Sequence, residues 1–278
     1  MFKNNRHATL AMLALMSALL IACTPSYGPN WPNPGNNLTA EDIDSSRAIV
    51  NGKAIENLDP IKKSIVAVVS SKVDGRSLCT GTLLSSEVVL TAAHCIDDSP
   101  AKLSVIFNSN LAKTKESQMH LADAITIHPR WKNSSDDSGR GDLALIHFTG
   151  GLEPGFEPVS LANGKHSLTF STKVFLAGFG VSLAKQRTGD GVLRKTESYI
   201  LGIHNPTEVV VNGDHKGVCF GDSGGPAFIQ TNEGYLQWGI ASSVTSQECN
   251  RTSIHTSVVP YLEWIETTRQ SLSRKTKP

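Results

Sequence analysis

Charge is scarce in this chain. Acidic and basic residues together make up 18% of 278 residues and nearly cancel, at a net charge of +1. The chain therefore lacks the one-signed field that would gather nucleic acid or a strongly acidic partner. Aromatic residues are also few, while Val, Ile, Ser, Thr and Gly are plentiful. That balance suits short β-branched strands joined by turns. No HExxH or CxxC pattern occurs. His120, His128, His147, His166, His204, His215 and His255 show no paired spacing that would hold a metal. Each is expected at the surface or in a hydrogen bond, and no metal or cofactor is required. There is no internal repeat. The longest apolar run, Ala8 to Ala22, falls short of the roughly 20 residues that span a bilayer. Preceded by Lys3 and Arg6, it reads as a secretory signal. The length allows one or two domains with a sizeable core.

What is present centres on Gly221-Asp222-Ser223-Gly224-Gly225-Pro226. A serine hydroxyl attacks carbonyls only beside a base, with donors ready for the oxyanion. Glycines on both sides of Ser223 permit a sharp turn and close approach to a substrate. The N–H groups of Gly221 and Ser223 can then point at one spot. Ala227-Phe228-Ile229 follows as a buried strand. A histidine stands in Thr91-Ala92-Ala93-His94-Cys95, after the apolar strand Val88-Val89-Leu90. An aspartate heads another strand in Gly141-Asp142-Leu143-Ala144-Leu145-Ile146. Base, orienting carboxylate and nucleophile come in the order His, Asp, Ser.

On these three stretches, TAAHC, GDLAL and GDSGGP, the chain resembles the trypsin/chymotrypsin family of serine endopeptidases. The resemblance runs from Ile49 to about Ile265. It implies two six-stranded antiparallel Greek-key β-barrels packed together, an all-β fold, with a C-terminal helix on the second barrel. The first barrel is expected at about 49–150, the second at about 159–257 and the helix at about 258–272. Strands are read at Ser64–Val69, Cys79–Leu84, Val88–Thr91, Leu103–Phe107, Lys173–Leu176, Gly191–Tyr199, Val209–Val211, Pro226–Ile229 and Gln237–Ser242. The resemblance also implies the disulfides Cys79–Cys95 and Cys219–Cys249, and hence an oxidising compartment. Ser223 would be the nucleophile, His94 the general base and acid, Asp142 its orienting partner, with Gly221 and Ser223 as the oxyanion hole. The substrate would be a protein or peptide.

The fifth cysteine, Cys23, ends Leu20-Ile21-Ala22-Cys23, which resembles the lipobox of bacterial lipoproteins. It implies a signal peptide over 1–22, a lipid on Cys23, and export to a membrane face, the outer membrane in a diderm host. Residues 23–48, rich in Pro, Asn and Gly at the start, read as a tether and propeptide. Ile49-Val50-Asn51-Gly52 resembles the start of the mature family domain, where a cut by an activating protease frees an amino group. That group would pair with Asp222, a buried carboxylate in need of a partner. Arg47-Ala48-Ile49 departs from the family, which carries a basic residue directly before the isoleucine.

The base of the primary pocket would be Gly217, beside Val218, where trypsin-like members carry an aspartate. Ser242, Val244 and Ser253 would form its walls. Val244 in place of a wall glycine implies a narrow pocket for small or aliphatic residues, as in elastase-like members. A monomer is expected. Two other readings stand beside the endopeptidase: a binding protein on the same fold with idle chemistry, and esterase activity through the same residues.

Overall fold

The computed structural model describes residues 49–72, 75–96, 102–133, 141–214 and 216–275. The stretches read as signal and tether, Cys23 and His215 lie outside the described residues. Six strands close a first barrel: β2 (Ile65–Lys72), β3 (Gly75–Leu83), β4 (Val88–Thr91), β5 (Lys102–Ile106), β6 (Met119–Ile127) and β7 (Ala144–Phe148). They are ordered β2-β3-β4-β7-β6-β5. Six more close a second: β9 (Lys173–Gly178), β10 (Arg194–Asn205), β11 (Glu208–Asn212), β12 (Pro226–Thr231), β13 (Gly234–Val244) and β14 (Thr252–Ser257). Antiparallel ladders run β9-β10-β11-β14-β13-β12 and return to β9. Two short strands join from outside: β1 (Lys53–Ala54) on β10, and β8 (Ser160–Leu161) parallel to β13. The fold is the pair of six-stranded barrels expected.

The strand sequences explain why the barrels pack together. In β2, Val66 and Val68 point into the first barrel, while Ile65 and Ala67 point away from it. In β9, Val174 and Leu176 fill the second barrel, while Phe175 and Ala177 face outward. The outward sets meet with Leu78, Phe179, Phe228 and Leu193 in a third apolar cluster between the barrels. A strand buried on both faces reads as a continuous apolar run, as β2 and β9 do.

Two placements differ from expectation. Residues 49–54 do not begin the first barrel: Ile49 is buried in the second barrel's cluster, and β1 pairs with β10. The C-terminal helix α2 (Leu262–Lys275), preceded by a 3-10 turn at Val259–Tyr261, packs chiefly on the first barrel, against β4 and β7. Val258, Tyr261, Ile265 and Leu272 share the core of Leu90, Leu143 and Leu145. The physical reason lies partly in His128, whose ring meets Tyr261 and Trp264 edge-on at 4.8 and 4.7 Å. A short helix α1 (Arg130–Asn133) follows it. No helix among the described residues is long and apolar enough to cross a membrane.

Candidate active site

Three chain reversals bring the predicted residues to the seam between the barrels. His94 sits in a 3-10 turn, Ala93–Cys95, directly after β4. Asp142 precedes β7, the neighbour of β4 in the barrel. Its Oδ2 lies 2.8 Å from His94 Nδ1, and its Oδ1 accepts the His94 backbone N–H at 3.0 Å. Ser242, at the end of β13, donates its hydroxyl to the same Oδ2 at 2.6 Å. Asp142 is only 1% exposed. Burial pushes its carboxyl up, but the charge and hydrogen bonds of His94 and the Ser242 hydroxyl outweigh it. The net position is below the usual carboxylate range, so Asp142 is held ionised.

Ser223 lies in the turn that enters β12 and is almost fully buried. The first barrel grips that turn from β3. Thr80 N–H donates to the Ser223 carbonyl at 2.8 Å, and Thr80 Oγ1 donates to the Gly221 carbonyl at 3.0 Å. Thr80 Oγ1 in turn accepts the Phe179 N–H, and Thr91 Oγ1 donates to the Thr80 carbonyl. Gly224 has φ +78°, and a Cβ there would run into the Thr80 carbonyl and Ala92 N–H. Only glycine lets the serine turn come this close to the histidine-bearing strand. Among the described residues, neither the Gly221 nor the Ser223 N–H enters a backbone hydrogen bond. Both donors therefore remain available to a ligand at the turn.

Disulfides pin both segments. Cys79–Cys95 ties β3 to the His94 turn, and Cys219–Cys249 ties the Ser223 turn to the segment before β14. Cys79, His94 and Cys95 offer atoms within 4.8 Å of one another. The two sulfurs are bonded to each other, so they are not thiolates that could hold a metal.

The remaining predicted residues fall around the same turn. Gly217 is buried and exchanges backbone hydrogen bonds with Val50 at 3.0 and 3.3 Å. Val218 is buried. Val244 and Ser253 are register partners across β13 and β14, so they project from one face. Ser253 is buried, and its Oγ is 3.0 Å from Nε2 of His255. Burial drops the His255 pKa to about 3, so it is neutral throughout the working range. Ile49 is fully buried, and in the continuous chain its nitrogen is bonded to Ala48. The Asp222 oxygens instead receive the Gly180 and Cys219 N–H groups, each at 2.8 Å.

The sequence reading placed Ser242 in the pocket wall and missed that its hydroxyl turns to Asp142. It also missed Thr80 and the buried Arg194. A lone serine or threonine inside a strand carries no local signal of such long-range bonds.

The chain is similar to several known proteins. The chymotrypsin-like elastase family member 1 of Canis lupus familiaris is 29% identical over 205 residues, covering 67% of this chain and 79% of the relative. Granzyme M of Homo sapiens is 28% identical over 214 residues, covering 71% and 82%. A chymotrypsin of Phaedon cochleariae is 28% identical over 255 residues, covering 84% and 88%. The solved structure of HL collagenase superposes with a TM-score of 0.66 at 23% identity, over 80% of this chain and 99% of that one, which shows a shared fold. The Trypsin family model matches residues 57–265, and the chain belongs to this family of serine proteases.

Proposed function

We propose that the chain is a serine endopeptidase that cleaves through Ser223, His94 and Asp142. One observation carries the reading: the buried, ionised Asp142 is 2.8 Å from His94 Nδ1. A carboxylate there fixes the tautomer in which Nε2 is the proton acceptor, and it stabilises the imidazolium that forms. His94 takes the Ser223 proton as the hydroxyl attacks the scissile carbonyl, then gives it to the leaving amine. The Gly221 and Ser223 N–H groups receive the oxyanion. Water, deprotonated by His94, then hydrolyses the acyl-enzyme and regenerates Ser223.

Substrate preference follows from the pocket. Gly217 at the base offers no charge, and Val244 opposite Ser253 narrows the walls. Small or aliphatic residues before the scissile bond fit this lining, in keeping with the elastases among the relatives. The buried Asp222 and Ile49 support activation by a cut before Ile49. Cys23 supports a lipid anchor, with the tether carrying the catalytic part off the bilayer.

A fluorophosphonate probe tests the chemistry. Labelling of the wild type that disappears in Ser223→Ala is the expected result, followed by peptide cleavage after Ala, Val or Leu. Peptide cleavage dominated by Lys or Arg would overturn the pocket assignment. A wild type that takes no label in either cut or uncut form, disulfides intact, would overturn the enzyme.

A further inference from the structure

Arg194 is a buried charge for which the mechanism above has no use. It opens β10 and is only 6% exposed. The register of β9 and β10 sets it directly opposite Gly178. Opposed residues in an antiparallel pair project from the same face of the sheet. Arg194 therefore leaves the sheet on the side where Gly178 would carry a Cβ. Asp222 occupies that side: a Cβ on Gly178 would collide with its Oδ1. One guanidinium nitrogen donates to the carbonyls of Gly189 and Val192 at 3.1 and 3.0 Å. Its Nε has no hydrogen-bond partner among the described residues.

Carbonyls solvate a guanidinium but do not cancel its charge, and an uncompensated buried charge is costly. Among the described residues, two amides and one cation act on the Asp222 carboxyl. Gly180 and Cys219 bring backbone amides, and Arg194 brings the positive charge that acts on it. Arg194 is itself shared with Asp190, in the loop before β10. Burial still pushes Asp222 up to about 7, with the two amides and Arg194 pulling the other way.

Resting on the protease reading, we propose that Arg194 is a positioning residue for the oxyanion turn. Its guanidinium is a resident positive charge that, with the Gly180 and Cys219 amides, draws the buried Asp222 toward its ionised form and helps hold the Gly221–Gly225 turn while Ile49 is still joined to Ala48. An amino terminus created at Ile49 then joins a charge already present. Activation is a graded gain on a preformed turn, and the uncut chain carries measurable reactivity.

The test compares the uncut and cut full chain, as wild type, Arg194→Met and Arg194→Lys. Fluorophosphonate labelling rates are followed from pH 5 to 9. In the uncut form, Arg194→Met is expected to slow labelling at pH 7 about 10-fold and to move its rising limb up by about one pH unit, the scale of one lost charge contact. Arg194→Lys restores both, because it keeps the charge. In the cut form the new amino group substitutes, and Arg194→Met changes the rate less than about threefold. An uncut Arg194→Met with the wild-type limb overturns the proposal while the protease reading stands. Melting temperature supplies a readout that needs no activity. A carboxyl whose folded pKa is raised stabilises the fold below its unfolded pKa, and that stability is lost as pH rises through the folded value. The uncut wild type should therefore lose stability between about pH 4 and 7, and Asp222→Asn should remove that loss. Arg194→Met should extend the loss above pH 7. An unchanged window would overturn the proposal even in a chain that takes no label.

Discussion

Asp142 gathers three hydrogen bonds on one buried carboxylate. It holds His94 twice, by ring and by backbone, and receives Ser242. Replacing it by asparagine keeps the shape but favours the wrong imidazole tautomer, so kcat should fall about 10⁴-fold, measured on a peptide substrate. Ser242→Ala removes one hydrogen bond to a charged group, worth about 1.5–3 kcal/mol, so its loss should be about 10- to 100-fold. The two substitutions also differ in acid. Asp142 lies below its ordinary value in the fold. The stability it contributes is therefore present above the unfolded pKa, about 4, and is lost as pH falls through the lower folded value. A melting curve of Asp142→Asn against pH should be flatter on the acid side than that of the wild type. Equal acid slopes in the two proteins would count against the ionised, paired state of Asp142.

Elements differ in how plainly their sequences announce them. β4 was legible to the residue, because Val88-Val89-Leu90-Thr91 is an unbroken β-branched and apolar run, buried throughout. β14 was not legible as a strand. Its sequence Thr-Ser-Ile-His-Thr-Ser has one apolar residue, yet Ser253, His255, Thr256 and Ser257 are buried. It is held by ladders to β11 and β13, a tertiary cause that local propensity does not encode. β10 starts later than its apolar pattern suggests, since Gly191 has φ +81° and spends its N–H on the Phe179 carbonyl. Helix α2 was legible from the helical spacing of the apolar residues Val259, Leu262, Ile265 and Leu272. Which barrel it covers was not, since an apolar stripe fits either. Its placement predicts a local effect: Leu272→Ala should cost about 2–4 kcal/mol in urea unfolding, because it opens a cavity against the first barrel. A change under about 0.5 kcal/mol would place the helix elsewhere.

The site exists only because two barrels meet. His94 and Asp142 come from the first and Ser223 from the second, and Thr80 and Thr91 of the first barrel carry the turn of the second. The sequence announces the three residues of the proposed triad through their motifs, but their convergence depends on the interface of Ile65, Ala67, Phe175, Ala177 and Phe228. Those residues alternate with core residues along the same strands, so the barrels have no independent surfaces to retain if they separate. Unfolding should then be one transition for the whole 49–275 region. Phe228 stands at the centre of this argument. It is fully buried in the interface cluster, one strand position from the second barrel's own core residues Ala227 and Ile229. Phe228→Ala should lower stability by about 3–5 kcal/mol. Fluorescence, circular dichroism and loss of fluorophosphonate labelling should shift together along the urea axis, since a two-state molecule gives coincident transitions. If labelling were lost at lower urea while the spectroscopic transition stayed in place, the barrels would be separable bodies, and the seam a docking contact between finished domains.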